Sequence, residues 1–411
     1  MVAFALVTSI MKKYPFVIAM CLAEALGMLS FSTFQALIPT FQMKWGLSNT
    51  EAGWISGIYF AGYVGAVPVL SSLTDRIDPK KILLGSLALG GSASLAFALF
   101  AEEFWSAIFL RSLHGIGLAG TYMPGLKVLS DQTEGPSQSR YVSFYTASFG
   151  IGGGLSFLLA GILEPSLGWG WAFGVNAIGA VLAGIIIMII LPWGKPPENL
   201  SQHHLLDFRP VLNNRSAMRY ILGYCGHNWE LFGFRSWVVA FLVFAMAHKS
   251  GSRFGFDATV IAAVATFLGV LSSIFGNELA VRFGRRRMII VILIFSVLVS
   301  LVTGAAAGVS YGLVVCLCLV YGVLLTGDSG AITAGTVAAS KPGARGATLA
   351  MHAMIGFVGG ILGPLCVGVV LDATGEASVF GWALAFAVMG AGSAAALLAI
   401  LFVGRNTFDR D

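Results

Sequence analysis

The run MIIVILIFSVLVSLVTGAAAG, residues 288–308, follows directly on Arg285-Arg286-Arg287 and contains no charged residue. A helix that crosses the ~30 Å hydrocarbon core of a bilayer needs about 20 mostly apolar residues, and a basic cluster at its edge marks the end that stays in water. The pattern recurs along the whole chain. Twelve such stretches cover approximately 14–42, 52–73, 82–101, 105–129, 141–163, 171–192, 219–247, 258–281, 288–308, 311–336, 346–371 and 378–404. Turn and charge signals separate them, among them Asp78-Pro79-Lys80-Lys81, Glu102-Glu103, Glu134-Gly135-Pro136 and Lys341-Pro342-Gly343. Only helices and closed barrels satisfy their backbone in lipid, and runs this long exclude barrel strands of ~10 residues. The expected fold is an all-α membrane protein with twelve transmembrane helices.

Composition agrees. Charged residues make up 10% of the 411 positions and apolar ones 57%, with a mean hydropathy of +0.85. A soluble domain carries about 25% charge, so this chain lacks the material for a water-facing exterior. The pI near 9.0 does not imply a nucleic-acid partner, because the bases are too sparse to track a phosphate backbone. The five cysteines sit in apolar runs without paired spacing, which argues against a disulfide framework and a zinc site. No metal or other cofactor is expected. Met1 to Ile10 is apolar but lacks the leading charge and cleavage pattern of a signal peptide, and on this reading no segment is removed.

Lys and Arg set the orientation. With the N-terminus inside, 19 of the 24 bases fall on the cytoplasmic side, Lys44, Lys249 and Arg253 fall outside, and Arg111 and Arg235 lie within spans. Both termini are therefore expected in the cytoplasm, and the membrane is read as a bacterial inner membrane.

The chain repeats itself. A polar stretch, 193–218, separates an N-terminal half (1–192) from a C-terminal half (219–411), each with six expected spans. Glu24-Ala-Leu-Gly27 in helix 1 matches Glu230-Leu-Phe-Gly233 in helix 7. His114-Gly115, with Gly120 five residues later, matches Tyr321-Gly322 with Gly327. Arg140 and Gly154 match Arg345 and Gly359 at the same offset. Repeats of this kind, with a site at their midplane interface, are the architecture of many secondary transporters.

Three motifs then carry a resemblance. Ser71-Ser-Leu-Thr-Asp75-Arg76-Ile-Asp78-Pro-Lys80-Lys81 resembles the loop signature GxxxDRxGRR of the major facilitator superfamily, with Ser71 and Asp78 in place of its glycines. Asn277-Glu-Leu-Ala-Val281-Arg282-Phe-Gly284-Arg285-Arg286 resembles a second copy, with Val281 in place of the acid. Arg111-Ser-Leu-His114-Gly115-Ile-Gly117 is similar to the superfamily's RxxxGxG motif. The resemblance implies twelve helices in two halves, a cavity lined by helices 1, 4, 7 and 10, and a gating role for Asp75, Arg76, Lys80 and Lys81, with Arg282 and Arg285 in the second copy. It also associates Arg111 with proton coupling. Helix 5 has Gly150, Gly152, Gly153 and Gly154 but lacks the Gly-Pro motif of the superfamily's export antiporters, which disfavours drug antiport.

An ionisable group near the bilayer centre costs at least ~2.5 kcal/mol and marks function by default. Glu24 and Glu230 lie about 15 Å into helices 1 and 7 at 1.5 Å per residue. A carboxylate so placed is a natural site for taking up and releasing a proton. Gln35 extends the Glu24 stripe. On helix 7, His227 shares a stripe with Glu230, while Asn228 shares one with Arg235. Asp328 in helix 10 aligns with Thr121 of helix 4. His114 and its counterpart Tyr321 complete the candidate substrate and coupling set; His352 reads as a packed polar residue. Alternatives stay open for several of these, since Glu24 or Arg235 could simply pair with an opposite charge.

The sequence holds no HExxH, serine elbow, acidic metal cluster or Walker loop, which excludes the common membrane enzymes and ATP-driven transport. The expected function is a secondary active transporter, working as a monomer by alternating access. The expected activity is proton-coupled uptake of a small organic anion, which would suit Arg111 and Arg235. The alternative is efflux of an amphipathic compound, which the aromatic residues Trp229, Phe232, Phe234 and Trp237 of helix 7 would fit.

Overall fold

A computed structural model describes residues 2–74, 76–133, 138–194, 208–248, 256–341 and 344–403, with the backbone alone for 2–13, Ser139 and Arg345. In chain order the helices are α1 (Val2–Gly27), α2 (Thr33–Ala36), α3 (Ile38–Trp45), α4 (Asn49–Leu73), α5 (Pro79–Phe100), α6 (Phe104–Ala119), α7 (Tyr122–Gln132), α8 (Gln138–Leu167) and α9 (Trp169–Ile190). They continue as α10 (Arg209–Leu212), α11 (Arg215–His248), α12 (Ala258–Phe283), α13 (Arg285–Ala305), α14 (Tyr311–Gly327), α15 (Ser329–Ala338), α16 (Arg345–Thr374) and α17 (Val379–Phe402). Among the described residues there is no strand.

Local chemistry sets the boundaries. Ser48 and Glu51 form a reciprocal capping box at the start of α4, which satisfies two backbone N–H groups that the first turn cannot. Asp78 accepts from Lys80 N at 2.9 Å and Pro79 opens α5. At Gly168 and Gly284 the chain reverses between long helices within one residue, at φ of 89° and 95°, which glycine adopts without the Cβ penalty of other residues.

Ten helices among the described residues are long and apolar enough to cross a bilayer, with 311–338 taken as one span. Large apolar side chains face outward, including Ile189 (77% exposed), Trp105 (71%) and Val281 (68%). A belt of this kind belongs against lipid tails, and the protein is an integral membrane protein. Three expected spans differ from plain helices. Stretch 14–42 runs along α1, turns at residues 28–32, and continues through α2 into α3. Stretch 105–129 breaks at Gly120-Thr121 between α6 and α7, and 311–336 breaks at Asp328 between α14 and α15. Glycine, threonine and aspartate are all weaker helix formers than alanine or leucine, so these points are where a helix most easily gives way. Of the expected linker 193–218, residues 195–207 lie outside the described residues.

Helix α4 packs along α16, and α8 along α12. The α4–α16 crossing is close because Gly53 and Gly57 have no side chains; a Cβ there would lie 2.7 Å from Pro364 O and 2.6 Å from Ile361 O. Small residues allow such backbone contact where no hydrophobic effect drives helices together. Farther along the same two helices Phe60 and Phe357 pack with Phe31 and Phe232 ring to ring, with Phe60 and Phe232 centroids 4.1 Å apart.

Candidate functional site

The expected site residues fall into two clusters, each beside a broken helix. In the first, Glu24 ends the last full turns of α1. Its Oε2 accepts from the Tyr145 hydroxyl of α8 at 2.9 Å, and Oε1 is buried without a hydrogen-bond partner. The same hydroxyl lies 3.4 Å from Thr121 O, at the break between α6 and α7. His114 of α6 is 2.7 Å from Ser30 Oγ in the turn after α1. A small cavity between these elements is lined by Ser30, Tyr59, Ser86, His114, Thr121 and Asn176, among others.

Arg111 of α6 is 1% exposed, and its Nε, Nη1 and Nη2 have no hydrogen-bond partner among the described residues. Its guanidinium lies 4.4 Å from the Tyr59 ring centroid and 5.9 Å from that of Phe34. A cation over an aromatic face is attracted by the ring quadrupole, but that contact satisfies none of the five N–H donors. Gln35, also buried, has an unpartnered Oε1. The first cluster thus presents an unsatisfied cation and a carboxylate with one free oxygen.

The second cluster divides in two. Glu230 of α11 is fully partnered: Oε1 accepts from the Tyr321 hydroxyl of α14 at 2.8 Å, and Oε2 from Ser296 of α13 at 2.9 Å and from Ser393 of α17. The repeat places it like Glu24, yet three hydroxyl donors on C-terminal helices enclose it. One turn earlier on α11, His227 Nδ1 lies 2.8 Å from Asp328 Oδ1. Asn228 is buried. Arg235 is half-buried, 6.0 Å from the Phe232 ring, and no carboxylate pairs with it among the described residues.

Of the expected gating residues, Asp75 lies outside the described residues. Arg76, Lys81 and Arg282 are exposed and Arg285 is half-buried. Lys80 is buried, and its Nζ donates to Met188 O at 2.8 Å and Leu191 O at 2.5 Å and lies 4.4 Å from the Trp193 ring. It caps the C-terminus of α9, where unpaired carbonyls attract a cation.

Sequence reasoning passed over Tyr145, Ser296 and Ser393, since hydroxyls are common in spans and nothing local names their partner. It passed over Asp372 as well. That carboxylate, at the end of α16, accepts from Asn49 N at 3.0 Å, Asn49 Nδ2 at 2.9 Å and Thr50 N at 2.8 Å, at the start of α4.

A family model described as Major Facilitator Superfamily matches residues 20–364. The chain belongs to the major facilitator superfamily. Among superfamily members it is 22% identical over 240 residues to human "Protein spinster homolog 1", covering 55% of this chain and 45% of that protein. It is 35% identical over 151 residues to the "3-(3-hydroxy-phenyl)propionate transporter" of Escherichia coli (strain K12), covering 36% of this chain and 35% of that one. The matched stretches thus span less than half the length of these two relatives. In fold it is similar, with a TM-score of 0.71 and 16% identity over 94% of this chain and 95% of the other, to a bacterial homologue of the human lysosomal transporter spinster crystallised in an inward-facing, unoccupied conformation.

Proposed function

We propose that this superfamily member is a proton-coupled carrier that takes up a small organic anion by alternating access. On this reading twelve spans form two six-helix halves, 1–192 and 219–411, joined by 193–218. Both termini face the cytoplasm of a bacterium, the carrier works as a monomer, and the α4 N-terminus marks the outer face. The observation that carries the reading is Arg111. A buried guanidinium with three unpartnered nitrogens is costly, and a carboxylate or similar anion would satisfy it bidentately. Glu24, in the same half and with one oxygen free, is the companion site for the proton. The resemblance to an Escherichia coli transporter named for an aromatic carboxylate supports an anionic cargo.

The test has two stages. A thermal-shift screen of small carboxylates against the purified carrier identifies ligands, since binding raises the melting temperature by mass action. Hits are then offered to proteoliposomes with an imposed pH gradient, acid outside. The reading expects accumulation that collapses with a protonophore. Accumulation indifferent to the protonophore would overturn the coupling, and stabilisation only by cations would overturn the anion.

The second reading, efflux of an amphipathic compound, is favoured by the ring cluster of Phe31, Phe60, Phe232 and Phe357 between the halves. Export of such a compound from inverted vesicles, with no carboxylate uptake, would select it.

A further inference from the structure

Three elements converge on a group the transport reading leaves without a defined role. Asp328 sits between α14 and α15, where the helix is interrupted. Discontinuous helices lining a midplane site are where carriers place binding and coupling groups. His227 of α11 contacts it through Nδ1 at 2.8 Å. Both side chains are buried, at 2% and 1% exposure, and neither His227 Nε2 nor either Asp328 carboxylate oxygen has a hydrogen-bond partner among the described residues. The pair is braced from behind. The Tyr224 ring lies nearly parallel to His227 (centroids 5.6 Å apart, 11°) and to His352 of α16 (4.0 Å, 16°). His352 is itself fixed by Thr336 at 3.1 Å and lies 3.4 Å from Thr333, both on α15. The histidine that reads from sequence as a packed polar residue thus ties α16 to the lower part of the broken helix and holds Tyr224 against His227.

We propose that His227 and Asp328 form one proton-carrying unit of the transport cycle, positioned by Tyr224 and His352, and that Glu230 is a structural carboxyl outside it. This rests on the proton-coupled reading above. With one proton on His227 Nδ1, facing Asp328 Oδ1, Nε2 holds a free lone pair. A proton arriving from water forms an N–H bond there, and the pair passes from a net charge of −1 to 0 as an imidazolium facing a carboxylate. Release reverses the step, and no other reactant is needed. Because both groups are buried, exchange with water requires α15 to move relative to α11, which links the proton to the conformational change.

Charged and titratable groups on the packed helices surround the pair. On α11 the charged neighbours are Glu230, within electrostatic reach of Asp328 but held by three hydroxyls, and Arg235, which interacts with Tyr224. On α16 the titratable neighbour is His352, within electrostatic reach of His227. Helices α12 and α13 bring Ser272, Gly276 and Ile292 to the adjoining Gly327. Glu230 is the contrast: its oxygens are all engaged, so a proton there would have to displace existing donors.

The test needs no knowledge of the cargo. The full chain, labelled with ¹³Cε1-histidine in nanodiscs, gives signals from its six histidines, and His227→Gln assigns the one at 227. In the unaltered protein that signal should change protonation between pH 5 and 9. In Asp328→Asn the midpoint should move by at least about one pH unit, a tenfold change in proton affinity, while in Glu230→Gln it should stay within about 0.2 unit. A His227 signal that never changes over this range, or one that moves equally in both variants, overturns the proposal. A second arm uses 3-phenylpropionate as the probe. Gradient-driven accumulation relative to counterflow should fall at least tenfold in Asp328→Asn, with the melting temperature showing that the variant folds. If the unaltered protein transports the probe without regard to pH, the coupled-uptake reading fails, while the histidine titration still decides the pair.

Discussion

A buried carboxylate is worth what its partners make it. Glu24 and Glu230 occupy matching places in the repeat, but Glu24 has one hydroxyl donor and a free oxygen whereas Glu230 has three donors. Glu24→Gln should therefore leave counterflow measurable and cut pH-driven accumulation at least tenfold in proteoliposomes; undiminished accumulation would remove Glu24 from the coupling role. Tyr321→Phe should act on stability instead. It strips the donor from Glu230 Oε1, a loss of about 1–3 kcal/mol for a buried polar atom left unpaired, readable as a lower melting temperature with transport per folded molecule maintained. The sequence made both glutamates visible through the scarcity of charge in the spans. It could not rank them, because Tyr145, Ser296 and Ser393 lie 121, 66 and 163 residues away, and no local pattern encodes contacts over such distances.

Among the elements, the long helices were legible and their interruptions were not. Apolar length and the charged breaks marked the spans, and Gly53 and Gly57, four apart on α4, marked a close crossing whose partner proved to be α16. The breaks at Gly120-Thr121 and Asp328 fall inside runs that remain apolar on both sides, so hydropathy reads straight through them. The tie between Asp372 and the start of α4 was equally hidden. It joins helices that the repeat places in different halves, by three hydrogen bonds at one end of the crossing. Asp372→Ala should loosen that end alone. A cysteine at buried Ser56 of α4 should then react faster with a membrane-impermeant maleimide than in the parent chain; an unchanged rate would show that the glycine contacts hold the crossing without the carboxylate.

At the scale of the molecule, alternating access requires that what is packed in one state come apart in the other. Two contacts along α4 meet that condition: the crossing with α16, with its Asp372 tie at the start of the helix, and the aromatic packing of Phe60 against Phe232 and Phe357 nearer its middle. Lys80, by contrast, is bound to α9, so it does not hold α4 to α16. On the proposed carrier reading, contacts that seal one face would leave cargo to bind from the opposite face, and the cycle could not finish unless that seal opened. Thr50→Cys with Asp372→Cys places two thiols where a backbone N–H and a carboxylate now meet at 2.8 Å. A disulfide at this position would fix the seal covalently. The oxidised double variant should keep its thermal shift with ligand yet lose transport in both uptake and counterflow, and a reductant should restore transport to the level of the reduced protein. Full transport by the oxidised form, with the cross-link verified by mass spectrometry, would mean that this face stays closed throughout the cycle and that the halves do not rock about the α4–α16 crossing.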